Sequence, residues 1–178
     1  MHTVEKEFEH NGYRCVVIMT EMGHRCGYVA VPEGHALFGV DYSENIFPST
    51  LIENEPIGDR GIIPMLCSAG DMISLDVLID VHGSITFSRG SHYGVPDRSL
   101  DFLKIEAEQE TPGSLYAREL ERTIENKGKP TDYPVPSQTP VWWFGFDCAH
   151  AGDNPITCDT EYVTKHCVKL ADQLEKYE

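Results

Sequence analysis

Val4-Glu5-Lys6-Glu7-Phe8-Glu9-His10-Asn11-Gly12-Tyr13-Arg14-Cys15-Val16-Val17-Ile18-Met19 is the stretch that decides the fold class. Asn11-Gly12 is the pair favoured in two-residue type I′ hairpin turns, where both central residues need positive φ. Val4, Lys6 and Phe8 precede that turn and an apolar run from Tyr13 to Met19 follows it, so the chain opens as an antiparallel hairpin. A third strand is expected over residues 25–31, closed by Pro32-Glu33-Gly34.

Beyond the hairpin, residues 41–64 are rich in Pro, Gly, Asn and Glu and read as a long surface excursion. Leu75, Val77, Ile79 and Val81 alternate with Asp76, Leu78, Asp80 and His82, which predicts a strand with one apolar face. Residues 85–88 are expected to be its partner or its extension. Residues 100–107 are compatible with helix or strand. Thr111-Pro112 predicts a helix start, with Tyr116, Leu120 and Ile124 on one face and Gly128 and Pro130 as the stop. Residues 131–140, with three prolines, read as an extended linker, and 141–146 as a short buried strand. Val163, Cys167, Leu170, Leu174 and Tyr177 follow helical spacing, with Asp159 and Thr160 offering capping oxygens. The expectation is one α+β domain over residues 1–178, an antiparallel or mixed sheet with two or three helices packed on it.

Composition narrows the function classes. In 178 residues there are 14 Lys and Arg against 29 Asp and Glu, a net charge of −15 with His neutral. Apolar residues at 40% and aromatics at 10% supply a core, which a disordered acidic tail lacks. The charge disfavours a broad nucleic-acid platform and an anionic membrane surface. The N-terminal residues show no basic-then-apolar signal, and no apolar run reaches the ~20 residues of a membrane helix, so a cytoplasmic protein is expected. Cys15, Cys26, Cys67, Cys148, Cys158 and Cys167 form no CxxC and are read as reduced thiols. The chain contains no P-loop, GxGxxG, GxSxG or HExxH motif.

Three clusters join His to carboxylates near expected strand ends: residues 24–41, 80–83 and 142–153. In a strand Asp80 and His82 would share a face, and an Asp beside a His orients the ring and raises its basicity. The alternative is an ion pair on a solvated strand face. Asp147 and His150 follow the aromatic run Trp142 to Phe146, and polar groups emerging beside an aromatic wall resemble a ligand pocket. The alternative there is Asp147 capping a turn. His35, between Gly34 and Gly39, is the candidate of the first cluster. His24, Cys26 and His35 match no closed structural zinc spacing, whereas a divalent metal on mixed His/Asp ligands with open positions is compatible with the three clusters.

The strings HRCGYVAVPEGHALFGVDY (24–42), DVHGSITFS (80–88), WWFGFDCAHAGD (142–153) and EYVTKHCVKLADQL (161–174) resemble, in order, a family of small proteins, mostly of unassigned activity, common in bacteriophage genomes and bacterial prophages. The blocks cover about a third of the chain. The family usually has Pro where this chain has Ala36 and Gly where it has Ser84. The resemblance implies a phage or prophage setting, in which proteins of this size often counter host defence signalling.

The residues then predict a small intracellular hydrolase of a phosphoester or nucleotide-like molecule. His35, His82 and His150 would supply acid/base or metal-ligand groups, oriented by Asp80 and Asp147. Arg25, Tyr28 and Trp143 would contact the ligand. Two rival expectations are a protein that sequesters a cyclic or other nucleotide unaltered, and an acidic inhibitor of a host DNA-binding protein. Self-association into a homo-oligomer stays open.

Overall fold

A computed structural model describes residues 2–48, 72–91, 95, 97, 99–127, 129 and 131–178. Its strands are β1 (Thr3–His10), β2 (Tyr13–Met19), β3 (Arg25–Pro32), β4 (Phe47–Pro48), β5 (Met72–Ile73), β6 (Phe87–Gly90) and β7 (Val141–Asp147). Its helices are α1 (Leu75–Leu78), α2 (Ser99–Gln109), α3 (Leu115–Lys127) and α4 (Thr160–Leu174), followed by a 3-10 turn at Glu175–Tyr177. Asn11 and Gly12 take φ of 50° and 82°, so the opening hairpin forms as its turn pair dictates. The main sheet runs β1-β2-β3-β7-β6 with every pairing antiparallel, and β4 and β5 form a small second ribbon. This is an α+β fold.

The sheet is covered on both sides. Cys15, Val17, Val29, Val31, Trp142, Phe144 and Phe146 project to one face, against Val163, Cys167, Leu170 and Leu174 of α4. Val16, Ile18, Cys26, Tyr28, Ala30 and Trp143 project to the other, against Tyr133 and Val135 of the proline-rich segment. That segment is therefore a lid on the second core. α4 starts where expected: Asp159 Oδ1 accepts the Tyr162 N–H at 2.8 Å, as an N-cap does. No helix among the described residues is long and apolar enough to cross a membrane.

Three readings need correction. The stretch 75–81 is not a strand: Ile79 N–H donates to the Leu75 carbonyl at 2.9 Å and closes the helical turn α1. Leu75, Val77, Ile79 and Val81 are all buried, so the apolar pattern marks core residues, but one turn followed by an extended crossing gives the same spacing. The crossing needs no strand partner, because the Gln173 carboxamide accepts from Asp80 N–H (2.8 Å) and donates to the Asp80 carbonyl (3.1 Å). Residues 85–88 consequently neither pair with nor extend it; β6 pairs with β7. The helix expected at Thr111-Pro112 starts three residues later, where Ser114 Oγ accepts the Ala117 N–H at 3.0 Å. Residues 100–107 resolve as helix within α2. Most of the excursion at 41–64, and the stop at Gly128 and Pro130, lie outside the described residues.

Asp41 ties the loop after β3 to the end of α3. It is 4% exposed, pairs with Lys127, and accepts Ser43 Oγ at 2.5 Å and Ser43 N–H at 3.0 Å. Burial alone would raise its carboxyl, yet the bonds from Lys127 and Ser43 win and hold it below its ordinary value. A lowered folded pKa means stability present above the unfolded value of about 3.9 and lost as pH falls through the folded one. Lys127→Met is expected to cost about 1–3 kcal/mol near pH 7. Thermal melts of both proteins from pH 7 to pH 2 should show that gap closing below about pH 4.

Candidate functional site

The loop leaving β7 is built by short side chains bonding their own backbone. Asp147 Oδ1 accepts the Ala149 N–H (3.1 Å), and Asn154 Oδ1 accepts the N–H groups of Ile156 and Thr157, both at 3.0 Å. Arg25 anchors the loop at both ends. Its carbonyl accepts the Cys148 N–H at 2.9 Å, while its guanidinium donates to the carbonyls of Pro155 (2.9 Å) and Cys158 (3.0 Å). The same guanidinium forms a two-pronged pair with Glu5 of β1 at 2.6 and 3.2 Å.

At the loop's centre a single oxygen, Asp153 Oδ2, gathers three donors. It accepts His82 Nε2–H at 2.9 Å, the His150 backbone N–H at 2.8 Å and His150 Nδ1–H at 3.2 Å. Burial pushes the Asp153 carboxyl up, but the bonds from His82 and His150 outweigh it and hold it below the usual carboxylate range. The arrangement sets tautomers. With Nδ1 of His150 protonated, its neutral ring keeps the lone pair on Nε2, and this ring is 40% exposed. His82 is enclosed further: its Nδ1 meets the Tyr162 hydroxyl at 3.0 Å, and its backbone N–H donates to His166 Nδ1 at 3.0 Å. Tyr162 and His166 lie one turn apart on α4 and contact each other with tilted rings, 4.6 Å between centroids.

Gly83 makes the close approach possible. A Cβ there would sit 2.1 Å from His150 Cε1, and its φ of 67° also favours glycine. Two thiols complete the surroundings. Cys148 and Cys158 are both buried, and each offers a sulfur within 4.8 Å of the other and of a His82 ring nitrogen. Burial pushes the Cys148 thiol well up, and the neighbouring Cys158 adds to this.

The structure brings His82 and His150 together and separates the other candidates. Asp80 does not orient His82; its carboxylate pairs with Lys169 at 3.0 Å, and Asp153 takes the orienting role. Asp147 caps its own turn and accepts Thr86 Oγ1 at 2.7 Å. His35 is buried near the far end of α4, its Nδ1 accepting Leu37 N–H (3.0 Å) and its Nε2 donating to the Leu174 carbonyl (3.2 Å). Leu174 lies eight residues beyond His166, about 12 Å along the helix. Tyr28 and Trp143 belong to the core on the opposite face, Tyr28 bonded to Tyr133 at 2.7 Å and Trp143 fully buried. Arg25 is a structural clamp. A cleft of about 540 Å³ lined by Arg14, Pro136, Ser137 and Gln138 also lies away from the His pair.

Asp153, Cys158, Tyr162 and His166 carry roles that sequence reasoning did not assign them. The one local signal was the helical spacing of Tyr162 and His166, which puts both on the face of α4 turned to the sheet. No protein-family model matches this chain, no curated protein matches it, and no solved structure matches it.

Proposed function

We propose that the protein is a hydrolase of a phosphoester or nucleotide-like small molecule, centred on His82, His150 and Asp153. One observation carries the reading: a carboxylate oxygen fixes two imidazoles side by side, with ring centroids 5.5 Å apart, and leaves the second ring facing solvent. Both nitrogens of His82 are engaged, by Asp153 and by the Tyr162 hydroxyl, so His82 orients the site and His150, with Nε2 toward solvent, is the ring that moves protons. The His150 Nε2 lone pair takes a proton from an attacking water as its oxygen bonds to phosphorus. The ester P–O bond breaks, and the departing oxygen receives from His150 Nε2 the proton that this ring took from the water. The phage resemblance supports host defence signalling as the setting. With Tyr28 and Trp143 inside the core, recognition falls on the phosphoester rather than on a stacked base.

His82→Ala and His150→Ala, assayed over a panel of linear and cyclic nucleotides, should each lower turnover by roughly 10²–10⁴-fold. Full activity in both variants would refute the proposal. Tight binding with intact ligand recovered after denaturation would favour sequestration.

A further inference from the structure

We infer that Cys148, Cys158 and His82 form a binding site for one thiophilic divalent cation of the zinc class, with Asp153 and His150 bordering its open side. The inference deepens the hydrolase reading and rests on it for the use the cation is put to; the binding itself rests on separate atoms.

The donor set is chemically selective. Two sulfurs and an imidazole nitrogen match the ligands zinc takes in proteins, and magnesium and calcium avoid thiols. The geometry is close to what a cation needs. The three donor atoms lie within 4.8 Å of one another, and tetrahedral bonds of about 2.3 Å put thiolate ligands roughly 3.8 Å apart. A second triad of donors, from His82, His150 and Asp153, also lies within 4.8 Å, so the two groups adjoin through the shared imidazole. The thiols are buried, His82 and Asp153 are only 16% and 14% exposed, and His150 is 40% exposed. Solvent therefore reaches the site from one side.

The scaffold around these donors has the features of a metal's outer shell. Arg25 fixes both thiol-bearing segments through the Cys148 N–H and the Cys158 carbonyl. Each ring nitrogen of His82 has its own partner, Tyr162 or Asp153, so whichever turns to the cation leaves the other oriented, as ligating histidines require. On ligation each thiol gives its proton to solvent and binds as thiolate, its charge balanced by the cation. Three protein ligands and one open position describe catalytic rather than structural zinc sites, and His150 adjoins this one through the shared His82.

The test uses the full chain, purified under reducing conditions and stripped with a chelator, then titrated with Co²⁺ and Zn²⁺. The expected result is one equivalent of Co²⁺ giving a thiolate-to-cobalt charge-transfer band, displaced by Zn²⁺ and not by Mg²⁺. Cys148→Ser and Cys158→Ser should each weaken Zn²⁺ binding by more than the roughly 10–100-fold an outer-shell partner carries. Absence of the band in the folded wild-type protein, or an intact mass showing the two thiols joined as a disulfide under these conditions, would overturn the inference. Because the band is read on the wild type, a serine variant that misfolds does not decide the matter. Cobalt–thiolate binding with unchanged turnover in His150→Ala would sink the hydrolase reading alone, and turnover in metal-free protein without the band would sink the metal alone.

Discussion

Gly27→Ala is expected to lower stability by about 3 kcal/mol, the upper end of ordinary overpacking costs. Gly27 lies in β3 directly beneath α4, and a Cβ there would meet Phe146 Cζ at 2.5 Å, Phe146 Cε1 at 2.6 Å and Cys167 Sγ at 2.7 Å. Neither neighbour has room to give, since Phe146 is 1% exposed and Cys167 is fully buried. One methyl must lift the helix, rotate a ring against the core, or both. For a chain of this length, a change of that size should lower the melting temperature by roughly 6–12 °C. Adding Phe146→Leu should recover part of the loss by removing the nearest ring atoms. A drop under about 1 kcal/mol would show that α4 does not press on the sheet as closely as the structure has it.

Asp153→Asn is expected to lower turnover by roughly 10²–10⁴-fold, as much as removing either imidazole. The amide keeps the shape of the carboxylate. It brings one accepting oxygen and one donating nitrogen to a place where Oδ2 receives two ring N–H groups and a backbone N–H. Whichever way the amide turns, His82 or His150 loses its acceptor or gains a competing donor, and the tautomers are no longer fixed. Imidazole nitrogen chemical shifts should show mixed tautomers at both rings, which needs no knowledge of the substrate. The stability cost is expected to be smaller in consequence, about 1–3 kcal/mol. Unchanged tautomers in Asp153→Asn would remove Asp153 as the organiser of the pair.

What could be read along the chain follows from how local each determinant is. The hairpin rests on Asn11-Gly12 and α4 on a cap and an apolar stripe, all contained within a few turns or residues, and both form as expected. The stretch 75–81 failed because period two in burial does not require a strand when a side chain, Gln173, satisfies the crossing backbone. Pairing Asp80 with His82 requires a strand there, and without one Asp80 turns to Lys169. Aromatic residues beside polar groups resemble a ligand pocket in sequence, but Tyr28 and Trp143 lie on the sheet's second face, which Tyr133 and Val135 close. Asp153 and Cys158 meet His82 only through the folded loop, 71 residues away in the case of Asp153, a separation that no periodicity encodes. His82 and His150 were legible because each sits beside a glycine-containing turn that brings polar groups out of buried chain.

Arg25 joins parts of the molecule that unfold on different timescales in most proteins. Its guanidinium holds Glu5 in the edge strand β1 with one side and the 155–158 loop with the other. An edge strand is hydrogen-bonded on one side only, so side-chain ties carry more of its anchoring. Here Glu5 of β1 is held by Arg25 and also by the Thr160 hydroxyl at the start of α4 (2.8 Å), so the strand is tied to the helix as well as to the loop. One side chain thus bonds two segments about 150 residues apart along the chain. The loop that carries Asp153 and Cys158 is braced from outside itself, by a strand that contributes no group to the His82–Asp153 cluster.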